Sequence, residues 1–278
     1  MGHAPELQED TTHDGGDPPS ASVVPAAALA PAAAEPTVGG ASRRHSEILE
    51  TLGGQICSGE LPPSCVLNTD ELEARFAVSR TLVREVLRVL ATMGLVEARR
   101  RVGTVVLPES RWDAFNPQVI RWKLASPARL TQLRELTELR NAVEPLAAML
   151  AAERADTAER AEIVRLAAAM WAAGKTGRQQ EFLALDIEFH HAVLAGSRNQ
   201  MIATLHQITQ EVLAGRVQYG LMPQLPDHAA LEWHMEVAVA IQHGDGRAAR
   251  AAMEKIVEQS FVEMAHMWDA PGAAPGTP

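Results

Sequence analysis

The sequence predicts a mainly α-helical protein in two parts, three helices with a β-hairpin followed by an antiparallel α-helical bundle. Two observations lead there. Between Ala77 and Val106 an amphipathic helical pattern runs into an arginine-rich hairpin, and from Ser126 onward every segment keeps helical spacing between short breaks.

Residues 1–42 are rich in Ala, Pro, Gly and acids and contain no aromatic residue. Such a stretch buries too little apolar surface to offset the entropy of ordering, so a disordered tail is expected. From Arg43 the pattern changes. Ile48, Leu49, Leu52 and Ile56 share one helical face until Gly59, and Leu61-Pro62-Pro63 ends the helix. Asn68 with Glu71 three residues on reads as a capping pair for a short second helix through Leu72 and Phe76.

Ser79 then caps a third helix whose core face carries Leu82, Val83, Val86, Leu87 and Leu90. Its other face carries Arg80, Thr81, Arg84 and Arg88, the first of them in the opening turn, where a recognition helix presents its end to base edges. An arginine there can fork onto a guanine or a phosphate. Gly94 ends the helix, Leu95 to Glu97 alternates as a strand, and Arg99, Arg100, Arg101 and Gly103 turn the chain back into Thr104 to Leu107. The helix alone is equally well read as an ordinary half-exposed amphipathic helix. The basic hairpin beside it favours nucleic-acid binding, and residues 43–108 are assigned to that part.

A connector over residues 109–125 contains Trp112, Phe115 and Trp122, with Asn116-Pro117 marking a helix start. Aromatic side chains in a connector predict docking between the two parts. The bundle occupies residues 126–269. Leu130 through Glu153 reads as one helix, Asp156 and Glu159 cap a second that ends near Gly174, a third runs from about Arg178 to Gly196 and a fourth from Asn199 to Tyr219. Pro223 and Pro226 break the chain before a fifth, Asp227 to His243, and Asp245 caps a sixth reaching about Trp268. Residues 270–278 are expected to fray.

A net charge of −10 is unexpected for a duplex-binding protein until it is divided along the chain. Residues 1–42 carry six acids and no Lys or Arg, and residues 43–107 carry nine arginines against eight acids. The remainder holds 16 basic and 21 acidic residues, so only the middle part is positive. Cys57 and Cys65 are the only cysteines, too few for a disulfide framework and without a zinc-ligand pattern around them. With no apolar run of membrane-spanning length and no secretory pattern, a cytoplasmic location is expected.

The run VSRTLVREVLRVLATMGLVEARRRVGTVV, preceded by LPPSCVLNTDELEARF, resembles the winged helix-turn-helix of the GntR family of bacterial transcription regulators. The resemblance implies that Ser79, Arg80, Thr81 and Arg84 contact operator DNA and that Gly103 lets the wing approach the minor groove. Asp70 stands where some members carry a DNA-contacting arginine, and Asn68 replaces a usual proline.

In the bundle, Asp186 and His190 are four residues apart in LALDIEFHHAVLAG and project from one helix face, while His191 points elsewhere. His234, on a later helix, is a third candidate. Two imidazoles and a carboxylate suit zinc or another divalent transition metal, with positions left for water or a ligand. The same spacing is common on helices without any metal. The stretches ELTELRNAVEPLAAMLAAERA, LDIEFHHAVLAGSRN and EWHMEVAVAIQHGDGRAARAAM resemble the FCD ligand-binding domain of the FadR subfamily, from Leu130 to roughly Gln259. That resemblance implies metal ligation by Asp186, His190 and His234; the family's fourth ligand falls at Ile256, which cannot ligate, and His266 lies too far along the helix to replace it. It also implies that Arg140 faces the effector pocket. The alternative for Arg140 is an ion pair with Glu144 on the helix surface. With QVIRWKLAS in the connector, these motifs are similar to repressors of galactonate utilisation operons, in which the last histidine is also missing.

The reading is a dimeric DNA-binding transcription regulator, a repressor released from operator DNA by a small carboxylate such as a sugar acid. The rival is a metal-dependent hydrolase in which Asp186, His190 and His234 hold a water-activating ion. No further carboxylate or histidine has a clear general-base position for that chemistry, and the DNA-binding part would go unused.

Overall fold

The computed structural model describes residues 38–220 and 227–268. The expected tail up to Thr37, the break at Pro223 and Pro226, and the end at 270–278 lie outside the described residues. The first helix, α1 (Val38–Cys57), begins inside the stretch expected to be tail. Pro36 is the last proline before it, so the backbone hydrogen-bond ladder can extend back through residues 38–42.

Asn68 accepts from the Asp70 amide at 2.9 Å and donates its side-chain amide to Glu71 at 3.3 Å, starting α2 (Thr69–Phe76). The Ser79 hydroxyl accepts from the Leu82 amide at 3.4 Å at the head of α3 (Arg80–Thr92). Gly94 closes that helix at φ 75°, where a side chain would be strained and its Cβ would meet the Arg111 carbonyl oxygen.

Strands β1 (Val66–Leu67), β2 (Val96–Arg99) and β3 (Gly103–Val106) form an antiparallel sheet in the order β1-β3-β2, with Val66 opposite Val105 and Arg99 opposite Gly103. The hairpin is as expected; β1 was not foreseen, since two residues are too few to show alternation. Leu52 of α1, Val83, Val86 and Leu90 of α3, Leu95 and Val106 form the first core, each at 1% exposure or less. Truncating one such leucine to alanine typically costs about 2–5 kcal/mol.

The connector helix α4 (Pro117–Leu124) is capped by Asn116 and docks on both sides. Val119 and Trp122 join the first core, while Ile120 and Leu124 join Leu133, Leu136, Ile208 and Val212. The Trp122 indole lies on Gly53 of α1, where a Cβ would fall 2.4 Å from the ring, and its N–H donates to Glu50 at 2.5 Å. On the opposite side Arg121 makes a two-point ion pair with Glu211, at 2.6 and 3.1 Å. Trp112 also packs on the first core, but Phe115 is 57% exposed and takes no part in the docking.

The bundle contains α5 (Arg129–Arg154), α6 (Thr157–Lys175), α7 (Gln179–Gly196), α8 (Gln200–Ala203), α9 (His206–Gln218), α10 (His228–His243) and α11 (Gly246–Trp268). Asp156 and Glu159 form a reciprocal capping box on α6. One expected helix, Asn199 to Tyr219, is two pieces. The Leu205 amide bonds back three residues to Ile202, and the Thr204 hydroxyl takes the Met201 carbonyl, so the chain tightens and restarts at His206. Buried Ala147, Ala148, Ala151 and Ala152 of α5 allow the close approach of neighbouring helices, and α5 packs extensively on α11. Among the described residues no helix is long and apolar enough to cross a membrane.

Candidate nucleic-acid interface and metal centre

The expected reading face is open. Ser79, Arg80, Thr81, Arg84 and Arg88 are all exposed, while the leucines and valines of the same helix are turned inward. Arg84 and Arg88 make no ion pair among the described residues; Arg80 does, with Asp70 at 2.9 Å. At the hairpin tip Arg99 pairs with Glu97, Arg100 and Arg101 are exposed, and Val102 is 55% exposed. Gly103 has φ 117°, a backbone region closed to other residues, and a Cβ there would press on Val66 of β1 at 3.3 Å. The tip thus presents cations beside one exposed apolar side chain.

The second site lies inside the bundle. Asp186 and His190 come from α7 and His234 from α10, all three buried, with their ligand atoms within 4.8 Å of one another. His234 Nδ1 is 2.6 Å from the Ala230 carbonyl, which can only accept, so Nδ1 carries the proton and Nε2 offers its lone pair. His190 Nδ1 lies 2.8 Å from Glu144 Oε2, at ion-pair distance though oblique for a hydrogen bond, and this turns Nε2 the other way. Both Nε2 atoms face Asp186 Oδ1, at 3.4 Å from His190 and 3.2 Å from His234. Asp186 Oδ1 and both Nε2 atoms have no hydrogen-bond partner.

With both imidazoles neutral, as metal ligation needs them, Asp186 Oδ1 and the two Nε2 atoms are three acceptors converging in a dry interior, a set that a cation between them would satisfy. Ligands at about 2.0–2.1 Å from a tetrahedral zinc ion sit roughly 3.3 Å apart, close to the two Asp186–imidazole separations, and all three ligand atoms lie within 4.8 Å of one another, so the chemistry of the donor set suits a divalent ion. Phe189 of α7, fully buried, makes T-shaped contacts with both rings, with centroids 5.7 Å from His190 and 5.2 Å from His234. Ile256, where the sequence resemblance leads us to expect a fourth ligand position without a ligand, belongs to the apolar bundle core. The side chain of His266 is outside the described residues.

Sequence reasoning missed Glu144 as a member of this site. The pair with Arg140 exists, but it is buried, with both side chains 2% exposed, rather than on the helix surface. Arg140 reaches Glu144 through Nε at 2.8 Å and Nη2 at 3.2 Å, Thr209 of α9 donates to the same carboxylate at 3.0 Å, and His190 stands on its other oxygen. The i,i+4 spacing from Arg140 was visible; its burial depends on α7 and α9 closing over α5. Arg140 Nη1 is buried without a hydrogen-bond partner. The cavity that Arg140, Glu144, Leu194 and Thr209 help to line measures about 10 Å3, room for one water and not for a sugar acid.

The electrostatics follow from this geometry. Burial raises the Glu144 pKa, but Arg140 and then His190 outweigh it and hold the carboxyl far below its usual range. Asp186 is likewise depressed, with the close approach of His190 and His234 outweighing burial. Burial opposes the charged form of His190, yet Glu144 first and Asp186 after it raise that group to about 9. Burial opposes the charge on Arg140 too, and Glu144 overcomes it, raising its pKa. His191 is apart from the centre, stacked on His206 at 4.5 Å, with its pKa lowered by burial and by that neighbour.

Two family models match the chain, "Bacterial regulatory proteins, gntR family" over residues 44–106 and the FCD domain over residues 135–259. The galactonate operon transcriptional repressor of Escherichia coli is 32% identical over 221 residues, covering 78% of this chain and 95% of that protein. The probable D-xylose utilization operon transcriptional repressor of Paenarthrobacter nicotinovorans is 27% identical and covers 80% and 88%. The solved structure of Lar, which controls expression of the Listeria monocytogenes agr system, shares the fold at 15% identity and TM-score 0.50, covering 82% of this chain and 97% of that one. All these matches are to regulators, and the hydrolase alternative finds no support among them.

Proposed function

The chain belongs to the gntR family of bacterial regulatory proteins with an FCD domain, a DNA-binding transcription regulator and not an enzyme, and on that premise we propose that it is a repressor released from its operator by a sugar acid of the galactonate kind. Ser79, Arg80, Thr81 and Arg84 meet the operator in the major groove, and the wing, turning at Gly103, lies along the minor groove. Two chains bind as a homodimer on a pseudo-palindrome, because one short recognition helix reads few base pairs. Such a protein works where the DNA is, in the cytoplasm.

The observation that carries the effector class is the charge of the buried centre. Asp186 and Glu144 against Arg140 leave one net negative charge when both histidines are neutral. A divalent ion held by Asp186, His190 and His234 reverses it to one positive charge, which a single carboxylate balances. When bound, the ion supplies a Lewis-acidic anchor for a carboxylate and a neighbouring hydroxyl. Glu144 holds the His190 ring from behind, and Arg140 adds a donor at Nη1 once the cavity of about 10 Å3 beside it has widened to admit the effector. The effector must favour the arrangement of the dimer that releases DNA, since equal affinity for both arrangements shifts nothing.

The test is to select a duplex from a random pool with the protein itself, then titrate the complex with a small panel of sugar acids, lactate and an acyl thioester. Release by a sugar acid at concentrations where the others do nothing is the expected result; indifference to every sugar acid refutes the effector class.

A further inference from the structure

Arg80 stands in the first turn of the helix that faces DNA, yet its guanidinium is held from the helix before it. Nη1 lies 2.9 Å from Asp70 Oδ1, and Nε lies 3.8 Å from Glu73 Oε1, beyond hydrogen-bond reach. Nη2 has no partner among the described residues. The Asp70 and Arg80 side chains are 72% and 55% exposed, so the pair contributes little to stability. Its place is more informative, because it joins α2 to α3 at the point where α3 would meet a duplex.

An arginine with an unbalanced charge binds any phosphate, and each such interaction adds sequence-independent, salt-sensitive affinity. A guanidinium whose charge is already balanced gains less from a phosphate. It keeps its directional donors, and two of them along one edge match O6 and N7 of a guanine. Asp70 grips Nη1, which leaves the opposite edge, Nε with Nη2, without a hydrogen-bond partner among the described residues and faced only by Glu73 Oε1 at 3.8 Å, for that fork.

We propose that Asp70 is the residue that sets the sequence specificity of Arg80: it cancels the charge with which Arg80 would bind phosphate and holds the side chain so that its free edge reads a guanine. The proposal rests on the reading that Arg80 meets the operator, and the experiment separates the two. The full chain without effector is titrated with a duplex it has selected from a random pool and with a random-sequence duplex, at several salt concentrations. Four proteins are compared with the parent: Asp70→Asn, Asp70→Ala, Arg80→Ala and the double variant Asp70→Asn/Arg80→Ala.

Asp70→Asn is expected to tighten binding to the random duplex and steepen its salt slope by about one ion. Affinity for the selected duplex stays level or falls, so the ratio between the two drops about tenfold. In the Arg80→Ala background the same substitution leaves the ratio unmoved. Equal tightening on both duplexes would reduce Asp70 to simple repulsion and overturn the proposal, as would an unchanged ratio or a loss of ratio that persists without Arg80. Parent-like binding of both duplexes by Arg80→Ala would instead overturn the placement of Arg80 itself, and the proposal with it. An unchanged thermal midpoint for each variant, expected from the exposure of the pair, ties every outcome to DNA reading.

Discussion

Glu144→Gln isolates the charge at the node of the bundle interior. The substitution keeps the volume and one carbonyl oxygen, so packing around α5 should hold, but it leaves Arg140 a buried cation without its paired carboxylate, only the unpaired Asp186 charge of the centre remaining to oppose it. Both side chains are 2% exposed, so water cannot screen the change. Breaking a buried pair from one side costs about 3–5 kcal/mol. At about 2–4 °C per kcal/mol for a body of this size, the thermal midpoint of the chelated protein should fall by about 6–20 °C. Removing both charges in Arg140→Met/Glu144→Leu should cost less than Glu144→Gln alone, because no unpaired ion remains; the Thr209 hydroxyl, which loses its acceptor, limits that recovery to part of the loss. Scanning calorimetry on parent, single and double variants in chelator decides the matter. A single variant within about 1 kcal/mol of the parent, or a double variant worse than the single, would refute the argument that charge balance holds Glu144 in place.

Other consequences follow from the same geometry. Arg80→Ala/Arg84→Ala should weaken the selected duplex by about 1–3 kcal/mol for each arginine–base fork removed; near-normal titration curves would refute the placement of the reading face. Gly53→Ala gains about 1 kcal/mol of helix propensity but drives a Cβ into the Trp122 ring, so a net loss of stability and a shifted tryptophan emission are expected, and a stabilised protein with parent emission would contradict the docking of α4. His190 has a folded value of about 9 against an ordinary 6.5, so its contribution is full below pH 6.5 and is lost as the pH rises through about 9. Stability of the chelated bundle should therefore decline between those two values, and His190→Ala should remove that decline; an identical pH profile in the variant would refute it.

How far the sequence reached differs from element to element. Amphipathic spacing in Val83, Val86, Leu87 and Leu90, and side-chain caps at Asn68, Asn116 and Asp156, are local signals, and the helices they mark are where the spacing puts them. The split between α8 and α9 depends on a threonine hydroxyl competing for a backbone carbonyl, which spacing does not register. Strand β1 exists because β3 offers it an edge. For the candidate metal centre, the pairing of Asp186 with His190 on one face was legible from four-residue spacing, whereas His234, on a later helix, stood as a third candidate that spacing alone could not bring beside them. The burial of Glu144, its grip on His190 and the packing of Phe189 against two imidazoles arise from helices far apart in sequence, and no local pattern encodes them. Nor did any local pattern disclose that Asp70 would hold Arg80.

The central claim joins metal, effector and operator in one chain, and His234→Ala tests it most directly. Metal content by mass spectrometry, sugar-acid affinity by calorimetry and release of the selected duplex are measured on the same preparations of parent and variant. The account predicts that the variant loses the metal, the sugar-acid affinity and the release together while still binding the duplex as the parent does. A variant without metal that still binds the sugar acid and still lets go of the duplex would contradict it.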